Sequence, residues 1–224
     1  MDKTKLNYSI KLLIVSFIAF LCIPLGQLSH LGDFFYKTIY YGTLVKMFNY
    51  IVQAIIWIIA IIIINTITKR KLMFSPLIEK KPKEYLPIRN MIVLTILTVL
   101  PILIVSGLVG WNFKPIYDLG AHFTGLQLGT HLINLLSQVF KLVLVYIIIR
   151  TSHEALSNLF PKYTKIPFGA IFTLLTFGLY ELILKVHYLP VIYLLLIFVM
   201  FYQYLFSNKT FSKSFILMAL IYLV

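Results

Sequence analysis

Five ionisable residues lie inside or beside long apolar stretches of this 224-residue chain: Lys141, Arg150, Glu154, Glu181 and Lys185. Charged side chains are costly in hydrocarbon, so the few that occur there are paired or mark a functional site. Glu181 is the most informative, because the surrounding sequence LLTFGLYELIL is almost entirely apolar. A lone carboxylate there costs on the order of 3 kcal/mol. We therefore expect Glu181 to be protonated or paired, as a contact between helices or as part of a site.

The candidates for catalysis are Glu154, Glu181 and His153. A carboxylate in an apolar environment can act as a general base, and a nearby imidazole can bind a metal or orient a group. His153 and Glu154 belong to the sequence HEALS, which lacks the second histidine of the zinc-binding HExxH motif. The single cysteine, Cys22, supports neither an intrachain disulfide nor a cysteine-based metal site. These residues alone predict no metal ligand set.

Arg150 and Glu154 are one helical turn apart, so their side chains share a face and can pair. A helix that continues to Phe160 draws both residues into the membrane. Arg150 then lies about 15 Å from the inner helix end, and Glu181 about 22 Å from the start of the next helix. A long arginine side chain covers much of this difference. We favour this longer helix, which places Arg150 near Glu181.

The other members of the predicted polar network are Lys141 and Asn134. Asn134 also belongs to a polar stripe with His131 and Gln138, at positions i, i+3 and i+7 of one helix. Such a stripe is more typical of contacts between membrane helices than of a ligand set.

Apolar runs about 20 residues long predict the elements that position these residues. They extend from about Ile10 to Leu28, Tyr41 to Ile67, Asn90 to Val109, Leu128 to Ile149 or beyond, Ile166 to Val186, Leu189 to Phe206, and Ser214 to the last residue. The last run covers only about 11 residues, or roughly 16 Å of helix. The prediction is an all-α, polytopic transmembrane bundle of about seven spans.

Lysine and arginine residues cluster in alternate connections, which predicts the orientation of the bundle. One set of connections contains Lys3, Lys5, Lys11, Lys69, Arg70, Lys71, Lys80, Lys81, Lys83, Arg89, Arg150, Lys162, Lys165, Lys209 and Lys213. The other set contains Lys37, Lys46, Lys114 and Lys185. Because basic residues favour the cytoplasmic side, we expect a cytoplasmic N-terminus and an external C-terminus.

The composition, 60% hydrophobic with a net charge of +13, fits one membrane domain over residues 1–224. A basic cytoplasmic linker covers residues 68–89. Because the cations lie in short connections, their expected partner is the anionic surface of the bilayer rather than nucleic acid. The many isoleucines and lysines favour a Gram-positive bacterium, and hence a multi-pass protein of the bacterial cell membrane.

The segment IIIRTSHEALSNLFPKYTKIPFGAIFTLLTFGLYELI resembles part of the CPBP (Abi) family, which includes type II CAAX prenyl proteases and lysostaphin-resistance proteins. The resemblance covers roughly residues 90–224. It concerns the order of the helices, the spacing of the motif positions and the apolar composition. The family pattern is Glu-Glu-x-x-x-Arg on one helix, Phe-x-x-x-His on the next, and His-x-x-x-Asn on the last. In this chain Phe177 and Glu181 fall at the Phe-x-x-x-His positions, while Met218 and Tyr222 fall near those of His-x-x-x-Asn.

Two registers remain open for the first motif. Counting by the family spacing puts Ile149 and Arg150 at the paired glutamates and Glu154 at the arginine. The alternative puts His153 and Glu154 at the glutamates and Asn158 at the arginine. Neither register gives the three ligands and open position of a hydrolytic zinc site. The resemblance therefore implies the family fold with a degenerate or repurposed site.

Three functions follow. The first is a non-catalytic pseudoenzyme without a metal, which acts in bacteriocin self-immunity or as a scaffold or regulator for a membrane protein or peptide. The second is an active, zinc-dependent intramembrane endopeptidase that uses Glu154, Glu181 and His153. The third is a small transporter or substrate-binding subunit in which Glu181 and Lys141 line a cavity. We favour the first.

Overall fold

The computed structural model describes residues 3–29, 39–77, 86–108, 125–163, 166–184 and 190–222. Within these ranges the chain forms seven helical rods and contains no strand. Lys185 and residues 78–85 of the basic linker lie outside the described part.

The helices are named here in chain order. They are α1 (Lys3–Gln27), α2 (Ile39–Leu72), α3 (Ile88–Leu108), α4 (Gly125–Leu159), α5 (168–184), α6 (Pro190–Phe206) and α7 (Phe211–Tyr222). A short 3-10 turn, Pro161–Tyr163, follows α4. Within α5, two α-helical pieces, Phe168–Thr173 and Leu179–Leu184, flank a π-helical turn, Leu174–Gly178.

Four of the described helices, α1 to α4, are long and apolar enough to cross a membrane. The chain is therefore a helical membrane protein. Helices α5, α6 and α7 are apolar but shorter than the other four.

The prediction that α4 continues past Ile149 is confirmed, since this helix ends at Leu159. Helix α1 begins at Lys3 rather than near Ile10, because its polar N-terminal residues extend the helix beyond the apolar run.

Helix α4 is the centre of the bundle and packs against α1, α2, α5 and α7. Every residue from 141 to 149 is buried, on all faces of this helix. The sequence of that stretch, KLVLVYIII, is apolar after its first residue, as expected for a helix surrounded by others. Helix α3 lies at the periphery against α6 and α7. Only 11% of its apolar window is buried, so its large side chains are left to face lipid.

Small residues let helices approach α4 closely. A methyl group on Gly169, at the start of α5, would lie 2.7 Å from the carbonyl oxygen of Ile149 and 3.0 Å from Cβ of His153. On the opposite side, the hydroxyl groups of Ser16 in α1 and Thr151 in α4 are hydrogen bonded at 2.6 Å. These contacts hold the C-terminal half of α4 between α1 and α5.

We expect the Gly169→Ala variant to lose about 1–3 kcal/mol of stability, since the added methyl group must displace the backbone of α4. Gly129→Ala is the matched control, because no atom lies within 4 Å of a Cβ at Gly129. This control should be unchanged or up to about 1 kcal/mol more stable, because alanine favours helix. Thermal unfolding in detergent measures both variants, and equal stability of the two would contradict the close packing.

Candidate functional site

The most deeply buried charges of the described residues form an ion pair between α4 and α5. The ammonium nitrogen of Lys141 donates to carboxylate oxygen Oε1 of Glu181. The side chains are only 2% and 6% exposed, respectively. Two opposite charges in a low-dielectric interior hold each other strongly, because either one alone would be left without water or a partner. The pair therefore fixes the register of α4 against α5.

Two aromatic rings cover the Lys141 ammonium. Its nitrogen lies 5.2 Å from the ring centroid of Phe177 and 5.9 Å from that of Tyr222. Both distances are within the range of a cation–π interaction, which is stronger where the cation is desolvated. Phe177 comes from the π-helical turn of α5 and Tyr222 from the end of α7. Three helices thus converge on one cation.

The π-helical turn helps to place α5 against its neighbours. Gly178 lies in this turn, and a methyl group there would be 2.8 Å from Cδ1 of Ile197 in α6. A π turn is rare in helices and is frequently found at functional sites. Here the wider turn directly precedes the piece of α5 that carries Glu181. The small residue lets α6 pack closely behind the ion pair.

A small, mainly apolar pocket lies between α5, α6 and α7 beside the ion pair. Glu181 and Tyr222 supply its polar groups. Its lining residues are Phe177, Gly178, Glu181, Leu196, Ile197, Met200 and Tyr222.

On the other side of Tyr222, polar contacts continue along α4. The hydroxyl group of Tyr222 donates to Oε1 of Gln138 at 3.5 Å, and Nε2 of Gln138 donates to Oδ1 of Asn134 at 3.3 Å. Ser137, on an adjacent face, donates to Oε1 of Gln53 in α2 at 3.4 Å. Of the polar stripe predicted on this helix, Gln138 contacts another helix, while its bond to Asn134 lies within α4.

The structure does not place Arg150 beside Glu181, so that expected pairing is wrong. The Arg150 guanidinium donates to the carbonyl oxygen of Pro76 at 2.6 Å and lies 5.2 Å from the ring centroid of Phe74. Arg150 and Glu154 also do not form the expected pair with each other; the ion pair of the described residues is that of Lys141 with Glu181. The arginine instead binds the segment after α2 to the C-terminal half of α4.

His153 lies in an aromatic environment far from Glu181. Its ring is 5.1 Å from Phe201 and 6.1 Å from Tyr204 in α6, measured between centroids. The side chain is 7% exposed, and its Nδ1 atom has no hydrogen-bond partner among the described residues. His153 follows Lys141, the partner of Glu181, by 12 residues. That spacing corresponds to about 18 Å along the helix axis.

The proposed catalytic residues are therefore not brought together. Glu154 is adjacent to His153 in α4 and half-buried, whereas Glu181 is held by Lys141 near the middle of that helix. Among the residues that the structure describes, no group of three histidine, cysteine, aspartate or glutamate side chains is arranged to hold a metal. Glu154, Glu181 and His153 do not fit the ligand set of a hydrolytic zinc site.

The positions singled out by the family resemblance converge in part. Phe177, Glu181 and Tyr222 surround the same lysine, while Met218 is fully buried in the core. The residue that pairs with Glu181 is Lys141, which neither register of the resemblance assigns to a motif position. Comparison with known proteins adds no further guide: no protein-family model, curated protein or solved structure matches the chain.

The partner of Glu181 was missed at the sequence level. Lys141 lies 18 residues before the end of α4 at Leu159, and Glu181 lies 13 residues after the start of α5 at Phe168. At 1.5 Å per residue these separations are about 27 Å and 20 Å, whereas Arg150 lies about 14 Å from the end of α4. Lys141 and Arg150 thus differ from Glu181 in depth by similar amounts, so the sequence does not select between them.

We expect Lys141→Met and Glu181→Leu each to lose about 3–5 kcal/mol of stability, because each leaves an uncompensated buried charge. The double variant should regain stability close to that of the original chain. The measurement is thermal or denaturant unfolding in detergent. Arg150→Met is the matched control, since it should not rescue Glu181→Leu. Additive losses in the Lys141–Glu181 double variant would contradict the ion pair.

Proposed function

We propose that this chain is a non-catalytic, CPBP-like protein of the bacterial cell membrane, with seven spans and a cytoplasmic N-terminus. It acts by binding a membrane protein or peptide, as in bacteriocin self-immunity or as a scaffold or regulatory subunit. The resemblance of residues 90–224 supplies the family, and the geometry around Lys141 supports the non-catalytic role.

The observation that carries this proposal is the ion pair of Lys141 with Glu181. A general base must be free to accept a proton from water, and a metal ligand must offer its lone pairs to the metal. The carboxylate of Glu181 already neutralises an ammonium group that Phe177 and Tyr222 cover. A second cation at this position would be repelled by the first. Glu181 is therefore suited to holding helices together.

The separation along α4 is the second support. A peptidase mechanism needs its base and its ligand or orienting group within hydrogen-bond reach of one water molecule. Glu181 and His153 are about 18 Å apart along the helix axis. The intervening residues 142–149 are all buried, and all are aliphatic except Tyr146, which leaves little room for water between the two positions. An active peptidase is the less well supported alternative.

The exposed basic residues support the proposed orientation. Three groups of basic residues lie at one end of the bundle. Lys69, Arg70 and Lys71 are in the last turn of α2, and Arg89 is at the start of α3. Lys209 and Lys213 lie around the turn from α6 to α7. The amide of Asn90 donates to the carbonyl oxygen of Phe206 at 3.2 Å, which joins the last two groups. By the positive-inside rule, this end faces the cytoplasm.

A transporter or substrate-binding subunit is the second candidate, because the pocket beside Glu181 and the polar stripe on α4 both adjoin the ion pair. Transport or substrate binding requires that Lys141 and Glu181 separate, or that a solute bind beside them. The closed contact between Lys141 and Glu181 favours the binding role over transport.

We expect the protein, purified in detergent without chelator, to contain far less than about one zinc ion per chain, since the residues offer no complete ligand set. Elemental analysis measures this, with the Glu181→Gln variant beside it as a control. About one zinc ion per chain that is lost in this variant would contradict the proposal and favour the peptidase.

The binding role predicts protection without hydrolysis. The chain should protect a bacteriocin-sensitive strain against at least one peptide of a panel, and the His153→Asn and Glu154→Gln variants should protect equally well. Survival at increasing peptide concentration is the measurement, with immunoblots to match expression. Loss of protection in these variants at equal expression, together with cleavage of the peptide by the original chain, would contradict the proposal.

A further inference from the structure

Helices α3, α6 and α7 carry uncompensated positive charge at one end. Arg89 is at the start of α3, Lys209 is in the turn after α6, and Lys213 is in the first turn of α7. We call these three residues the basic patch. All three side chains are exposed, and none makes an ion pair or a side-chain hydrogen bond with the described residues. Because the described parts of these helices contain no aspartate or glutamate, the basic patch has no anionic partner there.

A hydrogen bond between helices brings the basic patch together. The side-chain amide of Asn90, next to Arg89, donates to the carbonyl oxygen of Phe206 at 3.2 Å. Phe206 ends α6, and Lys209 follows it by three residues. The backbone N–H of Lys209 donates to the carbonyl oxygen of Tyr204 at 3.0 Å, which closes the turn. The start of α3 and the turn from α6 to α7 therefore lie side by side.

Exposed apolar side chains follow the basic patch along α3 and α7. Met91 and Ile92 of α3 and Ile216 of α7 are each more than half exposed. The rings of Tyr202 and Phe206, near the end of α6, are 6.4 Å apart between centroids. Aromatic side chains are enriched at the level of the lipid headgroups. Because α3 packs against α6 and α7, these helices form a surface that is cationic at its end and apolar along its length.

The basic residues at the end of α2 lack this arrangement. Lys69, Arg70 and Lys71 are consecutive on one helix, so their side chains point in directions about 100° apart. The cations of the basic patch come instead from neighbouring helices and can face one ligand. The group on α2 is therefore suited to diffuse attraction to an anionic membrane surface, whereas the basic patch is suited to binding one headgroup.

We propose that the basic patch binds the phosphate of an anionic phospholipid, whose acyl chains lie along the exposed apolar side chains of α3 and α7. Basic sites between membrane helices bind such headgroups through charge complementarity. A phospholipid is the expected occupant rather than free phosphate, because only a lipid also contacts the apolar side chains beside the patch. With the orientation inferred from the basic residues, this lipid belongs to the inner leaflet. The inference is independent of the proposed binding function.

Lipid binding by two triple variants tests the basic patch. The patch variant replaces its three cations by glutamine: Arg89→Gln, Lys209→Gln and Lys213→Gln. The matched control removes the same charge from the end of α2: Lys69→Gln, Arg70→Gln and Lys71→Gln. Native mass spectrometry of the detergent-purified proteins measures their affinity for phosphatidylglycerol, with zwitterionic phosphatidylcholine as the comparison lipid.

We expect the patch variant to bind phosphatidylglycerol at least about tenfold more weakly than the original chain, since each cation near an anionic headgroup contributes about fivefold. The control should change by less than about threefold, because its cations do not contact the bound phosphate. Equal losses in the two variants, at equal thermal stability in phosphatidylcholine, would overturn the proposal. The attraction would then belong to the whole basic end of the bundle.

Two soluble probes separate a lipid site from a phosphate site. Inorganic phosphate and glycerophosphoglycerol, which is the headgroup without acyl chains, should not displace phosphatidylglycerol at millimolar concentrations. Displacement by either probe would show that the acyl chains contribute nothing to binding, and would overturn the lipid as the occupant.

A second measurement uses the unsubstituted chain, so it does not depend on the folding of a variant. A phosphatidylglycerol with a photoactivatable group in its headgroup is irradiated with the protein in bilayers, and mass spectrometry identifies the crosslinked peptides. Crosslinks should concentrate at the start of α3 and in the turn from α6 to α7. Unlabelled phosphatidylglycerol should suppress them several times more effectively than phosphatidylcholine. Uniform crosslinking of all basic segments, with no difference between the two competitors, would overturn the proposal.

Discussion

Two opposite charges that lie in an apolar interior must stay in contact, and this constraint on Lys141 and Glu181 organises the rest of the bundle. Separating them would leave each charge without water, at a cost of several kcal/mol. Helix α5 must therefore stay in register with α4, and the turn at Pro161–Tyr163 must place the two residues at equal depth. The rings of Phe177 and Tyr222 complete the enclosure, which requires α7 to end beside the pair.

The same constraint separates the two ends of the molecule. In the part of α4 that follows Lys141, apolar side chains surround the helix, and Gly169 and Ser16 make close contacts with it. Arg150 satisfies its charge by binding the backbone of Pro76, which keeps the segment after α2 on the bundle. Before Lys141, α4 carries the amide side chains of Asn134 and Gln138 instead of aliphatic ones. The ion pair thus separates a polar N-terminal part of α4 from an apolar segment that follows it.

Much of the fold follows from the sequence, because apolar runs long enough to cross a bilayer have few alternatives to helix. The length of α4 also follows, since ALSNLF after Glu154 is apolar up to Pro161. The site is harder to predict from the sequence than the fold. Glu181 is identified by its surroundings, but its partner is not, because distances along the two helices place Lys141 and Arg150 about equally far in depth from Glu181. The π-helical turn before Glu181 was not predicted from the sequence; it includes Gly178, which packs closely against Ile197 of α6.

The measurement that tests the account most directly is the distance from the Lys141 ammonium nitrogen to the Glu181 carboxylate carbon. It can be determined in lipid bilayers by dipolar-recoupling solid-state NMR of chains labelled with ¹⁵N-lysine and ¹³C-glutamate. We expect a separation below about 4 Å, as a hydrogen-bonded ion pair requires. A separation above about 6 Å, or strong coupling of Glu181 to a different cation, would contradict it.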